Sequence, residues 1–105
     1  MNLQEKENYQ LLHLTDSFAD LEEHKDALSS QHLVVEVSEN LNIDDSKISL
    51  LLSIASSYKE NGMSFVVIKS GIDIDDFPET LNIVPTLQEA EDVLEMEAIE
   101  RDLGF

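Results

Sequence analysis

Cysteine is absent from this sequence. That excludes a disulfide framework, thiolate chemistry and any metal site built on cysteine, and it agrees with a reducing compartment. Basic residues are nearly as scarce: six Lys and Arg stand against 23 Asp and Glu, a formal net charge of −17. Such a chain repels phosphate backbones and anionic lipid heads, so neither nucleic acid nor a membrane is an expected partner. A protein with a basic surface is attracted, with a salt-dependent on-rate. No apolar run is long enough to span a bilayer and no basic-then-apolar leader opens the sequence, so a soluble, cytoplasmic protein is expected. Also missing are a glycine-rich phosphate loop, a GxSxG elbow and an HExxH helix. His13, His24 and His32 form no HxH or HxxxH pair, so no metal and no cofactor is expected.

What the 105 residues do contain is an alternation of two patterns. A run of β character at 9–14 and apolar, β-branched runs at 32–37 and 64–69 read as strands, the last two of the kind buried on both faces in a parallel sheet. A shorter run at 81–84, ended by Pro85, reads the same way. Leu3 and Glu5 suit a short edge strand, with Glu7 and Asn8 as a turn. Between the strands lie helical patterns: residues 18–28, with Phe18, Leu21 and Leu28 apolar; 45–61, with Ile48, Leu51, Leu52, Ala55 and Tyr58 on one stripe; and 87–103. Leu50 and Ile54 fall outside the middle stripe, which means either deep burial or an apolar face for a partner. In the last helix Leu87, Ala90, Leu94 and Ala98 make the apolar stripe, which Val93, Met96, Ile99 and Leu103 are expected to widen. Thr86 and Glu89 form its capping box, and Gly62 and Gly104 suit helix ends. Residues 72–77 read as a helical turn or a solvated loop. Strands alternating with helices predict an α/β fold: one domain, a four- or five-stranded, mostly parallel sheet packed against helices, with an antiparallel edge if the N-terminal hairpin forms.

The middle helix opens on the most informative stretch, Asp44-Asp45-Ser46-Lys47-Ile48-Ser49. Asp44, Asp45 and Ser46 can each cap it, and their polarity suits its positive end. A serine there is either a plain cap or a phosphate acceptor; Ser49 is a second, weaker acceptor. Asp44 and Asp45 with Lys69 loosely resemble the acidic pocket of a receiver domain, but a receiver has its acidic pair after the first strand, where this chain has Leu14-Thr15-Asp16. From residue 70 onward eleven acids face one base, Arg101. In so acidic a chain, paired carboxylates alone do not mark a catalytic site; an enzyme reading would need a deep pocket lined with them.

The run from Ile43 through Asp44, Asp45, Ser46, Lys47, Ile48 and Ser49 to Leu52, followed by Glu60-Asn61-Gly62-Met63 and Phe65-Val66-Val67-Ile68, resembles the STAS family of anti-sigma-factor antagonists. Ile83-Val84-Pro85-Thr86-Leu87-Gln88-Glu89-Ala90 resembles that family's final strand and helix, so the likeness covers residues 9–103. It implies a STAS-like fold, Ser46 as phosphoacceptor, and a basic anti-sigma kinase as partner. The partner would be met by Asp44, Asp45, Lys47 and Ser49 together with Asp73, Asp75 and Asp76. Lys47 stands where the family usually has glycine and Asp45 where it often has serine, and the 37–43 loop is longer. These departures point to an alternative: a member that keeps the fold as an accessory or scaffold subunit without the switch, using its acidic C-terminal helix as the contact. The tail, residues 98–105, is similar to small chains carried under a ribonuclease Z name. That enzyme needs a His-x-His-x-Asp-His motif, which this sequence lacks, so the likeness implies a neighbour or partner of it.

Overall fold

The computed structural model describes residues 2–24 and 31–104. Five strands form one sheet in the order in which they occur: β1 (Asn2–Glu5), β2 (Tyr9–Leu14), β3 (His32–Val37), β4 (Phe65–Ile68) and β5 (Ile83–Val84). β1 pairs antiparallel with β2, so the N-terminal hairpin is formed, and the remaining pairs are parallel. Helices α1 (Ala19–His24), α2 (Asp45–Glu60) and α3 (Leu87–Asp102) complete the α/β architecture, with a 3₁₀ turn at Ile74–Asp76 between β4 and β5. Residues 25–30, where the helix is expected to run on to 28 and a loop to follow, lie outside the described residues.

Period-two alternation divides the strand side chains between two cores. Leu12, Leu14, Leu33, Val35, Val37, Phe65, Val67 and Ile83 face the layer that also holds Phe18, Leu21, Leu51, Ile54 and Tyr58. Tyr9, Leu11, Val34, Val66 and Ile68 face Ala90 and Leu94 of α3. Burial on both faces explains why β3 and β4 read as unbroken apolar runs rather than as alternation. Ile72, Phe77 and Leu81 pack into the first layer too. The three crossovers between parallel strands therefore share one face, as right-handed connections must when each strand is added on the same side of the last. The strand order never reverses among the parallel strands. Among the described strands there is thus no switch point of the kind at which open α/β sheets usually seat a small ligand.

Three expectations are corrected. The centre of the buried face of α2 is Leu51, Ile54 and Tyr58, with Leu50, Leu52 and Ala55 at its margins and Ile48 outside it; of the two alternatives for Leu50 and Ile54, burial holds, and neither forms a separate apolar face. β5 is only two residues long, because Pro85 ends the pairing and Leu81 leaves the strand line to fill the core. In α3 Ala90 and Leu94 are buried and Leu87 and Val93 pack beside them, Ala98 of the expected stripe is exposed, and Met96, Ile99 and Leu103 point to solvent. They do not widen the core-facing stripe; they form a second one on the opposite side.

Candidate functional site

The carboxyl edge of the sheet carries the loops that follow β3 and β4. The first leads into α2. Asp44, extended at φ −88° and ψ −177°, is the N-cap. Its Oδ1 accepts the Lys47 amide N–H at 3.0 Å and the Ser46 hydroxyl at 2.9 Å. These bonds, the Lys47 amide first, hold its carboxyl below the usual carboxylate range. Of the three residues able to cap, Asp44 is the one that does. Asp45 and Ser46 begin the first turn, where Asp45 adds a negative charge at the positive helix end. Asp44, Asp45, Ser46 and Ser49 are all exposed.

Lys47 is turned back on the protein. Its Nζ lies 4.0 Å from the Glu22 carboxylate and 5.4 Å from the centre of the Phe18 ring. It joins the start of α2 to α1 by an ion pair and a cation–π contact. Phe18 itself is buried just ahead of α1, whose entry is set by the Ala19 amide donating to Ser17 Oγ at 3.2 Å.

The second loop is attached to the first. Lys69, at the end of β4, is buried, and its ammonium donates to the carbonyls of Ser38 at 3.1 Å and Glu39 at 3.2 Å. Beside it the Ser70 hydroxyl donates to Glu39 Oε1 at 2.7 Å. Beyond the turn at Gly71, whose φ of +73° is the left-handed conformation glycine tolerates, Asp73 Oδ1 accepts the Asp75 amide at 3.0 Å. The Asp76 amide donates to the Asp73 carbonyl at 3.0 Å. Asp73, Asp75 and Asp76 are exposed. The candidate residues thus stand on two loops after adjacent strands, tied by one buried lysine, with Asp44, Asp45, Ser46, Ser49 and the three loop aspartates open to solvent. The Lys69 clamp was not legible beforehand, since a lysine at a strand end carries no sequence signal for which carbonyls will meet it.

On the other side of the same edge, His13 Nδ1 pairs with Glu36 Oε1 at 2.6 Å across β2 and β3, on the wall of an open depression of about 330 Å³. His32 is built differently. Its Nδ1 accepts the Ser64 amide N–H at 2.8 Å, so in the neutral ring the proton is on Nε2. Burial, and then the nearby Arg101 charge, push its pKa down. Among the described residues no group of three or more His, Asp or Glu side chains could hold a metal ion, and no helix is long and apolar enough to cross a membrane. Comparison with protein-family models and with curated proteins finds no match.

Proposed function

We propose that this chain is a STAS-like protein-binding module that presents the N-terminal cap of α2, with Ser46 at its centre, to a partner of basic surface. The observation that carries this reading is the exposure of Ser46 beside Asp44 and Asp45, on the edge that also bears Asp73, Asp75 and Asp76. An open edge rich in exposed carboxylates suits recognition by lysines and arginines. A phosphate on Ser46 would add nearly two negative charges there and break the hydroxyl's bond to Asp44. Like-charge repulsion would then alter the cap that the partner meets. The partner class, an anti-sigma kinase or a protein like it, comes from the family resemblance.

A second reading, an accessory subunit without the switch, is favoured by the same hydrogen bond. The Ser46 hydroxyl already serves the Asp44 carboxylate, and two neighbouring acids oppose a phosphate.

Affinity capture from native lysate with wild type and Ser46→Asp, read by mass spectrometry, tests the first reading. A basic protein retained by wild type and released by Ser46→Asp, because the new carboxylate loses the hydroxyl's bond to Asp44 and repels that cap, is the expected result; equal or greater retention by the variant refutes it. Intact-mass analysis after incubation with ATP and the captured partner separates the two readings, because only the first predicts added phosphate that Ser46→Ala abolishes. Lys47→Glu is a poorer probe, since it also breaks the contacts to Glu22 and Phe18.

A further inference from the structure

The second apolar stripe of α3 belongs to neither core. Met96, Ile99 and Leu103 are 58%, 53% and 67% exposed. Spaced by three and then four residues, they share one face of the helix. The opposite face holds α3 to the sheet: Ala90 and Leu94 are buried, the Asn82 amide donates to Glu97 at 2.9 Å, and the Arg101 guanidinium donates to Ser64 Oγ at 3.2 Å. The exposed trio therefore does nothing for the packing of its own helix. Single exposed apolar residues need no explanation, but three in register mark a surface that something covers.

The border of the stripe decides what that is. At 3.6 residues per turn, Glu95 and Asp102 flank it on one side and Glu100 on the other, all exposed. The one base of the helix, Arg101, is turned inward to Ser64. A second copy of this chain would bring the same carboxylates against these, between molecules of net charge −17 each, which disfavours a symmetric pair. Along the Glu95 side runs an open groove of about 520 Å³, between α3 and the starts of β2 and β3, with Glu91 and Glu95 on its wall. It has room and charge for a long cationic side chain. We propose that this face of α3 receives an amphipathic helix of a partner protein, with an apolar stripe laid on Met96, Ile99 and Leu103 and lysines or arginines bordering it toward Glu95 and Glu100. Helices read by anchors at such spacing are a recurring recognition mode. The site lies on the sheet face opposite α2, so it does not rest on the cap reading and both surfaces can be occupied together.

The probe is a fluorescent synthetic helix with leucines at i, i+3 and i+7 flanked by lysines. Its comparator has the same composition in scrambled order, and both are titrated by anisotropy. Wild type is expected to bind the amphipathic order at least about tenfold more tightly than the scrambled one. The variant carrying Met96→Ser, Ile99→Ser and Leu103→Ser should lose about tenfold or more, and Glu95→Gln with Glu100→Gln should weaken binding and flatten its salt dependence. Each substitution is on the surface, and circular dichroism checks the fold. Equal binding by the triple-serine variant, meaning attraction by bulk charge alone, overturns the proposal. So does equal binding with unchanged salt dependence in the glutamine variant. Self-association of wild type in sedimentation equilibrium, abolished by the triple-serine change, also overturns it, because a second copy would then be the occupant.

Discussion

Lys69→Met removes the ammonium that ties the two candidate loops while keeping most of the aliphatic arm. Two charge-assisted bonds to the Ser38 and Glu39 carbonyls are lost, each worth roughly 1.5–3 kcal/mol when the donor is charged. Two effects offset part of this. A buried charge no longer needs to be desolvated, and carbonyls in a loop partly regain water. The net cost is expected to be about 2 kcal/mol, so the urea midpoint should fall by about 1–2 M for a domain of this size. Removing one positive charge also raises the self-repulsion of a chain at −17, which would destabilise it without any clamp. Salt separates the causes. At 1 M NaCl the Debye length is about 3 Å, so bulk repulsion vanishes whereas the loss of short-range bonds remains. Hydrogen exchange should quicken at the Leu41 amide, which donates to the Ser38 carbonyl at 3.0 Å, and should leave the β3 centre unchanged. A midpoint equal to that of wild type, or a loss that disappears in 1 M salt, would refute the clamp and with it the argument that the two acidic loops are held as one edge.

The remaining predictions concern packing and titration. Leu51→Ala, at a fully buried site, should cost about 3 kcal/mol in urea unfolding, whereas Met96→Ala should stay within about 0.5 kcal/mol of wild type; a large loss at Met96 would mean that the outer stripe is core after all. Tyr9 donates to Glu91 at 2.8 Å, and burial, then that bond and the Glu91 charge, push its phenol up to about 12; burial raises Tyr58 as well. Because both pKa values lie above the unfolded value near 10, their stabilisation is complete below about pH 10; that of Tyr9 is lost as pH rises through about 12, and that of Tyr58 at higher pH still. Absorbance titration should show no tyrosine ionising near pH 10 while the fold persists. His32 has the opposite sign. Its folded pKa is lowered, so its contribution is present above the unfolded pKa and is lost as pH falls through the folded one. Protonation of Nδ1 would also break the bond from Ser64. Urea midpoints should fall as pH is lowered below about 6.5, and His32→Gln, which keeps an acceptor without titrating, should flatten that slope.

Much of the architecture is local, and local physics writes it into the order of residues. The β-branched runs at β3 and β4, the Asp44 region ahead of an apolar period, and Thr86 three residues before Glu89 specify strands, helices and their starts, because caps and periodicity act within one or two turns. Ser46 and its acidic neighbours were identifiable for the same reason, since a helix start and its charge are sequence properties. The tertiary structure alone decided which aspartate caps, that Lys47 spends its charge on Glu22 and Phe18, and that Lys69 bridges to Ser38 and Glu39. It also turned Met96, Ile99 and Leu103 outward. α3 is apolar on two sides, so its period leaves open which side meets the sheet. That choice went to Ala90 and Leu94, the small residue letting the helix approach Val34 and Val66 closely, and it left the bulkier stripe facing water.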